Sequence, residues 1–136
     1  MVSRTTKIRV RYNETDQMGI VNNARYPTYF EIGRTELFRE LGVTYAQLEK
    51  EGLSLLVSEL YIKYFKSACY DDILYIESII KEMPTSRLRL NYIIKNEKNE
   101  IITTGYTVLA FLYGNPIRPG RIPDNIKKVL EPFFKK

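Results

Sequence analysis

One change of period governs what this chain can fold into. From Tyr26 to Leu41, apolar and aromatic residues (Tyr26, Tyr29, Phe30, Gly33, Leu37, Phe38, Leu41) recur every three or four positions, while Glu31, Arg34, Glu36, Arg39 and Glu40 mostly take the other faces. That spacing is one amphipathic helix. The chain beyond it is different. Leu53 to Tyr64, Ile73 to Lys81, Arg87 to Lys95 and Ile101 to Leu112 are rich in Val, Ile, Tyr and Leu. Turn-forming stretches separate them: Ser67 to Asp72, Met83 to Ser86 and Asn96 to Asn99. Successive strands with no room for a helical crossover pair antiparallel. An alternating stretch from Lys7 to Tyr12 adds a strand before the helix. The expectation is an α+β fold, a five-stranded antiparallel sheet with one long helix against one face.

Local signals set the boundaries. Asn22 or Asn23 can cap the helix, Pro27 suits its first turn, and Gly42 is placed to end it. Thr44 and Gln47 have capping-box spacing for a short second helix that stops near Gly52. Asp124 after Pro123 suits the cap of a short C-terminal helix ended by Pro132. With no internal repeat, low-complexity tract or linker, residues 1–136 read as a single domain. Tyr61, Tyr70, Tyr75 and Tyr92 are expected among charged residues on the outer sheet faces. One helix cannot cover both faces and both edges of such a sheet, so a homo-oligomer, a dimer or homotetramer, is expected.

Composition narrows the chemistry. The chain has no histidine and one cysteine, Cys69. A Ser-His-Asp triad, a Cys-His pair and His-ligated zinc are therefore excluded, and neither a disulfide nor a multi-cysteine metal site can form within the chain. Carboxylates, hydroxyls, lysines and backbone amides remain. The net charge of +5 favours anionic partners, but the basic residues are dispersed, which argues against a nucleic-acid module. No signal peptide and no membrane-spanning run is evident, so a cytoplasmic location is the default expectation.

The segment Asn13 to Glu31, NETDQMGIVNNARYPTYFE, followed by IGRTELFRELG, carries the most specific pattern. With Asp16, Gly19, Ile20, Val21, Tyr26, Tyr29, Phe30, Glu31, Arg34 and Thr35 in register, it resembles the hotdog-fold acyl-CoA thioesterases. Within that fold it looks like the branch of the 4-hydroxybenzoyl-CoA and Tol–Pal-associated enzymes. VSELYIKYFKSACYDDILYIES and the turn from Gly120 to Pro123 extend the resemblance over almost the whole chain. It implies a hotdog fold, its sheet wrapped around the central helix, and hydrolysis of an acyl-CoA thioester to free acid and CoA. No cofactor or metal is implied, because coenzyme A is itself part of the substrate.

By this resemblance Asp16 is the nucleophile or the general base. Gly19 and Asn23 complete the catalytic set, and the N–H groups of Asn22, Asn23 and Ala24 at the helix start would polarise the thioester carbonyl. Val21, Asn22, Ala24, Tyr26 and Tyr29 are expected to line the substrate, with Arg87, Arg89, Arg118 and Arg121 as candidates for the phosphates of CoA. Glu31 reads chiefly as an ion-pair partner of Arg34 or of a neighbouring subunit. Relatives place a histidine where this chain has Ile20 or Asn23, so any mechanism here works without imidazole. Two alternatives share the pocket: an acyl-ACP thioesterase, whose acidic carrier suits the +5 charge, and a hotdog protein that binds acyl-CoA without hydrolysing it.

Overall fold

The computed structural model, described for residues 1–135, turns the change of period into one long helix held against one sheet. The helix α1 (Tyr26–Glu40) is followed by α2 (Tyr45–Lys50), and α3 (Asp124–Leu130) lies near the C-terminus. The strands are β1 (Val2–Arg9), β2 (Leu53–Tyr64), β3 (Ile73–Ile80), β4 (Arg87–Asn96), β5 (Ile101–Tyr113) and β6 (Arg118–Gly120). They form one antiparallel sheet in the order β1-β3-β4-β5-β2, with β6 on the far end of β5. The sheet is thus six-stranded rather than five-stranded. The three-residue β6 contains Pro119 and has no alternation of its own, so only pairing with Phe111–Tyr113 makes it a strand.

The first strand also differs from expectation. It runs from Val2 to Arg9, so the expected Lys7 to Tyr12 overlaps only its last three residues. Val10 leaves the ladder at the β2–β3 loop, its N–H donating to Asp72 O at 2.9 Å, and Tyr12–Glu14 forms a 3-10 turn. At the other end, Pro123 precedes α3 and Asp124 is its first residue rather than its cap.

The core lies between α1 and the concave face of the sheet. Tyr26, Tyr29, Phe30, Gly33, Arg34, Leu37 and Phe38 form the buried stripe of α1. Opposite them are Leu74, Ile76 and Ile80 of β3 and Leu88, Leu90, Tyr92 and Ile94 of β4. Each large apolar side chain so buried is worth about 1.5–3 kcal/mol. Tyr92 therefore belongs to the core and not to the outer face. It alternates with Arg89, Asn91 and Ile93, and its ring stacks on Phe30 at 4.2 Å between centroids. Its hydroxyl pairs with Thr107 Oγ1 at 2.7 Å. Tyr70 lies in the β2–β3 loop, edge-on to Tyr12. Among the described residues no helix is long and apolar enough to cross a membrane.

Gly33 and Gly105 let α1 settle on the sheet. A Cβ at Gly33 would stand 2.5 Å from Ser78 Oγ, and one at Gly105 would stand 2.2 Å from the Tyr61 carbonyl and 2.8 Å from the Phe30 ring.

Candidate active site

The segment before α1 is a tight loop whose ends are stitched together. Thr15 bridges Val21, Asp16 N–H donates to Ile20 O at 2.9 Å, and Gly19 N–H returns to Asp16 O at 3.0 Å. Gly19 sits at φ +79, a left-handed conformation that glycine adopts without a Cβ penalty. Gly19, expected within the catalytic set, is placed at the bend of this turn. Asp16 Oδ1 accepts from Met18 N–H at 2.8 Å, an Asx turn that fixes the carboxylate on its own loop. The second oxygen, Oδ2, has no protein donor among the described residues, and the side chain is exposed.

A 3-10 turn, Asn23–Arg25, runs directly into α1. Its cap is Asn22, whose Oδ1 accepts from Ala24 N–H at 2.9 Å. Of the three N–H groups expected as donors, two are therefore taken. Ala24 is bound to the Asn22 side chain, and Asn22 N–H donates to Glu14 O at 3.0 Å. Asn23 N–H alone of the three has no protein acceptor among the described residues. The Asn23 carbonyl is held from the other side by the Tyr64 hydroxyl at 3.0 Å. One exposed carboxylate and one free amide at the start of a 15-residue helix thus share the same short segment. An exposed carboxylate can act as base or nucleophile, and an unpaired N–H near the positive end of a helix dipole can donate to developing negative charge.

The remaining site residues divide sharply. Val21 is buried, its N–H donating to Ala68 O at 2.8 Å. Tyr26 and Tyr29 are core residues in the protomer, 2% and 0% exposed, and Tyr29 also forms part of the wall of a cavity bounded by β1 and the loop after it. Tyr26 lies beside Thr103 and edge-on to Tyr64. Arg87, Arg118 and Arg121 are exposed but lie at the opposite end of the sheet. Thr103, near the site, and Ala110, paired with Arg87, are seven residues apart on β5, about 23 Å at the usual strand rise. One protomer therefore does not bring these arginines to Asp16. Arg89 stacks over the Tyr106 ring at 4.0 Å on the outer face. The Glu31–Arg34 pair does not form: Arg34 turns into the core beside Tyr45 and Tyr92, whereas Glu31 is exposed.

Two contributors escape a reading by motif. Tyr64 is an ordinary strand tyrosine until the fold brings it to Asn23. Glu14 accepts from Arg11 N–H at 2.8 Å and from the Tyr29 hydroxyl at 3.0 Å through Oε1. Its spacing from Arg11, three residues, is the capping-box spacing and was the available signal.

The sequence profile of the thioesterase-like superfamily matches residues 10–130, which include this loop, α1 and the whole sheet apart from β1. The chain belongs to the thioesterase-like superfamily. Within that superfamily it is similar to the acyl-CoA thioester hydrolase YbgC of Escherichia coli O6:H1, at 27% identity over 119 residues, covering 88% of this chain and 89% of that one. It is also similar to the chloroplastic acyl-acyl carrier protein thioesterase ATL3 of Arabidopsis thaliana, at 28% identity over 129 residues, 95% of this chain and 68% of that one. Among solved structures, the DHNA-CoA thioesterase of Staphylococcus aureus superposes with a TM-score of 0.87 at 32% identity, covering 100% of this chain and 97% of the other. The hotdog arrangement is thus shared over the full length of the thioesterase-like chain.

Proposed function

We propose that this protein is an acyl-CoA thioesterase that hydrolyses its substrate to a free acid and CoA. The observation that carries the reading is that the exposed Asp16 carboxylate and the Asn23 N–H, which has no protein acceptor among the described residues, lie on one loop leading into α1, inside a superfamily whose similar members are named for thioester hydrolysis. The thioester carbonyl oxygen would accept from Asn23 N–H as negative charge develops on it. Asp16 would either take the proton of a water that attacks the carbonyl carbon, or attack that carbon itself to form a mixed anhydride that a water then cleaves to the free acid. In both routes the C–S bond breaks and the departing CoA thiolate takes up a proton. This route needs no imidazole, no metal and no redox cofactor.

The site is completed, in this reading, by a second copy. β2 is an edge strand carrying exposed Leu56, Val57, Leu60, Tyr61 and Tyr64. Antiparallel pairing of two β2 edges brings the far end of one sheet, which carries Arg87, Arg118 and Arg121, toward the Asp16 end of the other. The CoA phosphates would then be held by arginines across the interface. A homotetramer extends the same logic, because the outer sheet face has no helix over it. The exposed free thiol of Cys69 suits a reducing, cytoplasmic setting.

A thiol-release screen across short, long, branched and aromatic acyl-CoAs tests the assignment. Asp16→Asn is expected to lower kcat on the preferred thioester by about 10²-fold or more without changing the fold. Full activity of that variant, or absence of thiol release from any acyl-CoA, would overturn the reading. A second reading, hydrolysis of an acyl group from an acidic carrier protein, is favoured by the similarity to ATL3 and by the +5 charge. Turnover of the carrier thioester in preference to the CoA thioester, with steep salt dependence, would select it.

A further inference from the structure

Glu14 is fastened twice, and both attachments concern the loop that carries Asp16. Its carbonyl accepts from Asn22 N–H at 3.0 Å, which closes the loop at its base. Its side chain accepts from the Tyr29 hydroxyl at 3.0 Å and from Arg11 N–H at 2.8 Å. Tyr29 lies on α1, fully buried. Burial, and then the neighbouring Glu14 carboxylate, push its hydroxyl well above the ordinary tyrosine range, so it keeps its proton and donates. A further side-chain tie between this loop and the helix start, Arg25 to Asn13 O at 3.1 Å, is exposed.

From this geometry we infer that Glu14 is the positioning residue that sets the separation of the Asp16 carboxylate from the Asn23 N–H. Asp16 follows Glu14 by two residues, and Asn23 follows the Asn22 amide that Glu14 holds. The main-chain bond fixes the two arms of the loop to each other. The Tyr29 bond fixes both to the helix. Without the second bond the loop keeps its internal turn but can shift as a unit against α1, and a misplacement of about 1 Å can cost about 10²-fold in rate.

Tyr29 and Glu14 also line a cavity of about 480 Å³ with Ile8, Ile32, Tyr12 and Tyr70, and Asp16 does not line it. A contact with substrate in that cavity would act on KM, whereas a positioning bond acts on kcat.

The inference rests on the proposed role of Asp16, and the experiment separates the two. Steady-state thiol release is measured for the wild type, Glu14→Gln, Glu14→Ala, Tyr29→Phe and the Glu14→Ala/Tyr29→Phe double variant, with thermal melting alongside. Glu14→Ala and Tyr29→Phe are expected to lower kcat by about tenfold or more with KM within about twofold. Glu14→Gln retains an amide oxygen that accepts both bonds, and is expected to keep kcat within about threefold of the wild type. The double variant should be no slower than Glu14→Ala, because both single changes remove one shared bond. Wild-type kcat in Glu14→Ala, a change confined to KM, or Glu14→Gln as slow as Glu14→Ala would each overturn the inference. If the wild type releases no thiol, the activity reading fails by itself. Amide hydrogen exchange in Tyr29→Phe then decides the positioning role: faster exchange at Val21 and Arg25, whose N–H groups tie the loop to Ala68 O and the helix start to Asn22 O, supports it, and unchanged exchange there overturns it.

Discussion

The Tyr64 hydroxyl donates to the carbonyl of Asn23 at 3.0 Å, joining the last residue of an edge strand to the 3-10 turn that leads into the central helix. The bond holds the residue whose N–H, of the three expected donors, has no protein acceptor among the described residues. It also places that site at the edge where a second copy would pair. Replacing Tyr64 by Phe should remove about 0.5–1.5 kcal/mol, the usual net worth of such a bond, seen as a small fall in melting temperature. The larger effect is expected on kcat, measured by thiol release, because Asn23 loses its support from β2.

Gly19 offers a test of loop shape without steric conflict. A Cβ there would meet nothing within 4 Å, yet φ is +79. Gly19→Ala should therefore cost about 1–2 kcal/mol from backbone conformation alone, with Gly19→Asn milder. Equal melting temperatures for all three proteins would contradict this account.

At Gly105 the obstruction is steric. The nearest atom to an added Cβ is the Tyr61 main-chain oxygen at 2.2 Å, and the Phe30 ring stacked on Tyr92 follows. Gly105→Ala should destabilise by about 3 kcal/mol or leave the chain unfolded. Gly33→Ala should do less harm, because the atom it meets first is the Ser78 side-chain oxygen. Chemical denaturation of the two variants gives the comparison.

Alkaline stability should depend on Tyr45. Burial pushes its hydroxyl up to about 12, partly offset by the adjacent Arg34 guanidinium. A raised folded-state value means that the native chain holds the proton more tightly, so this stabilisation is complete below about pH 10 and lost as pH rises through about 12. The difference corresponds to on the order of 2–3 kcal/mol. Tyr45→Phe should flatten the fall in stability over that window, read from urea melts at pH 9 to 12. An unchanged slope would remove Tyr45 as its cause.

The β2 edge predicts its own disruption. Leu60, 47% exposed on the strand, should lie in the contact between copies. Leu60→Lys is expected to halve the mass seen by light scattering and to reduce thiol release with it. A wild-type protein that is monomeric and active would refute the shared site.

Much of this protein was written in local order. The bounds of β2 to β5 follow the apolar runs to within a residue at each end, because period-two alternation and the turn residues between strands act over a few positions. Gly42, at φ +96 just beyond α1, and Thr44, accepting from Gln47 N–H at 3.2 Å, are equally local. Asp16 stood out by motif. Tyr92 misled only because its neighbours Arg89 and Asn91 are polar; its own parity, shared with Leu88, Leu90 and Ile94, was already that of the core.

What the sequence determined alone was the main elements and the chemistry they can carry: one long helix, an antiparallel sheet apart from β6, carboxylate and amide without imidazole. Tertiary structure decided which groups are free to act. Asn22, Asn23 and Ala24 carry identical amides, and only pairing with Glu14 and the asparagine cap consumes two of them. Arg87, Arg118 and Arg121 have the right charge for a phosphate, but antiparallel strands carry them to the other end of the sheet. A backbone conformation is chosen by neighbours in the chain, whereas a hydrogen-bond partner or a distance across a sheet is chosen by residues tens of positions away.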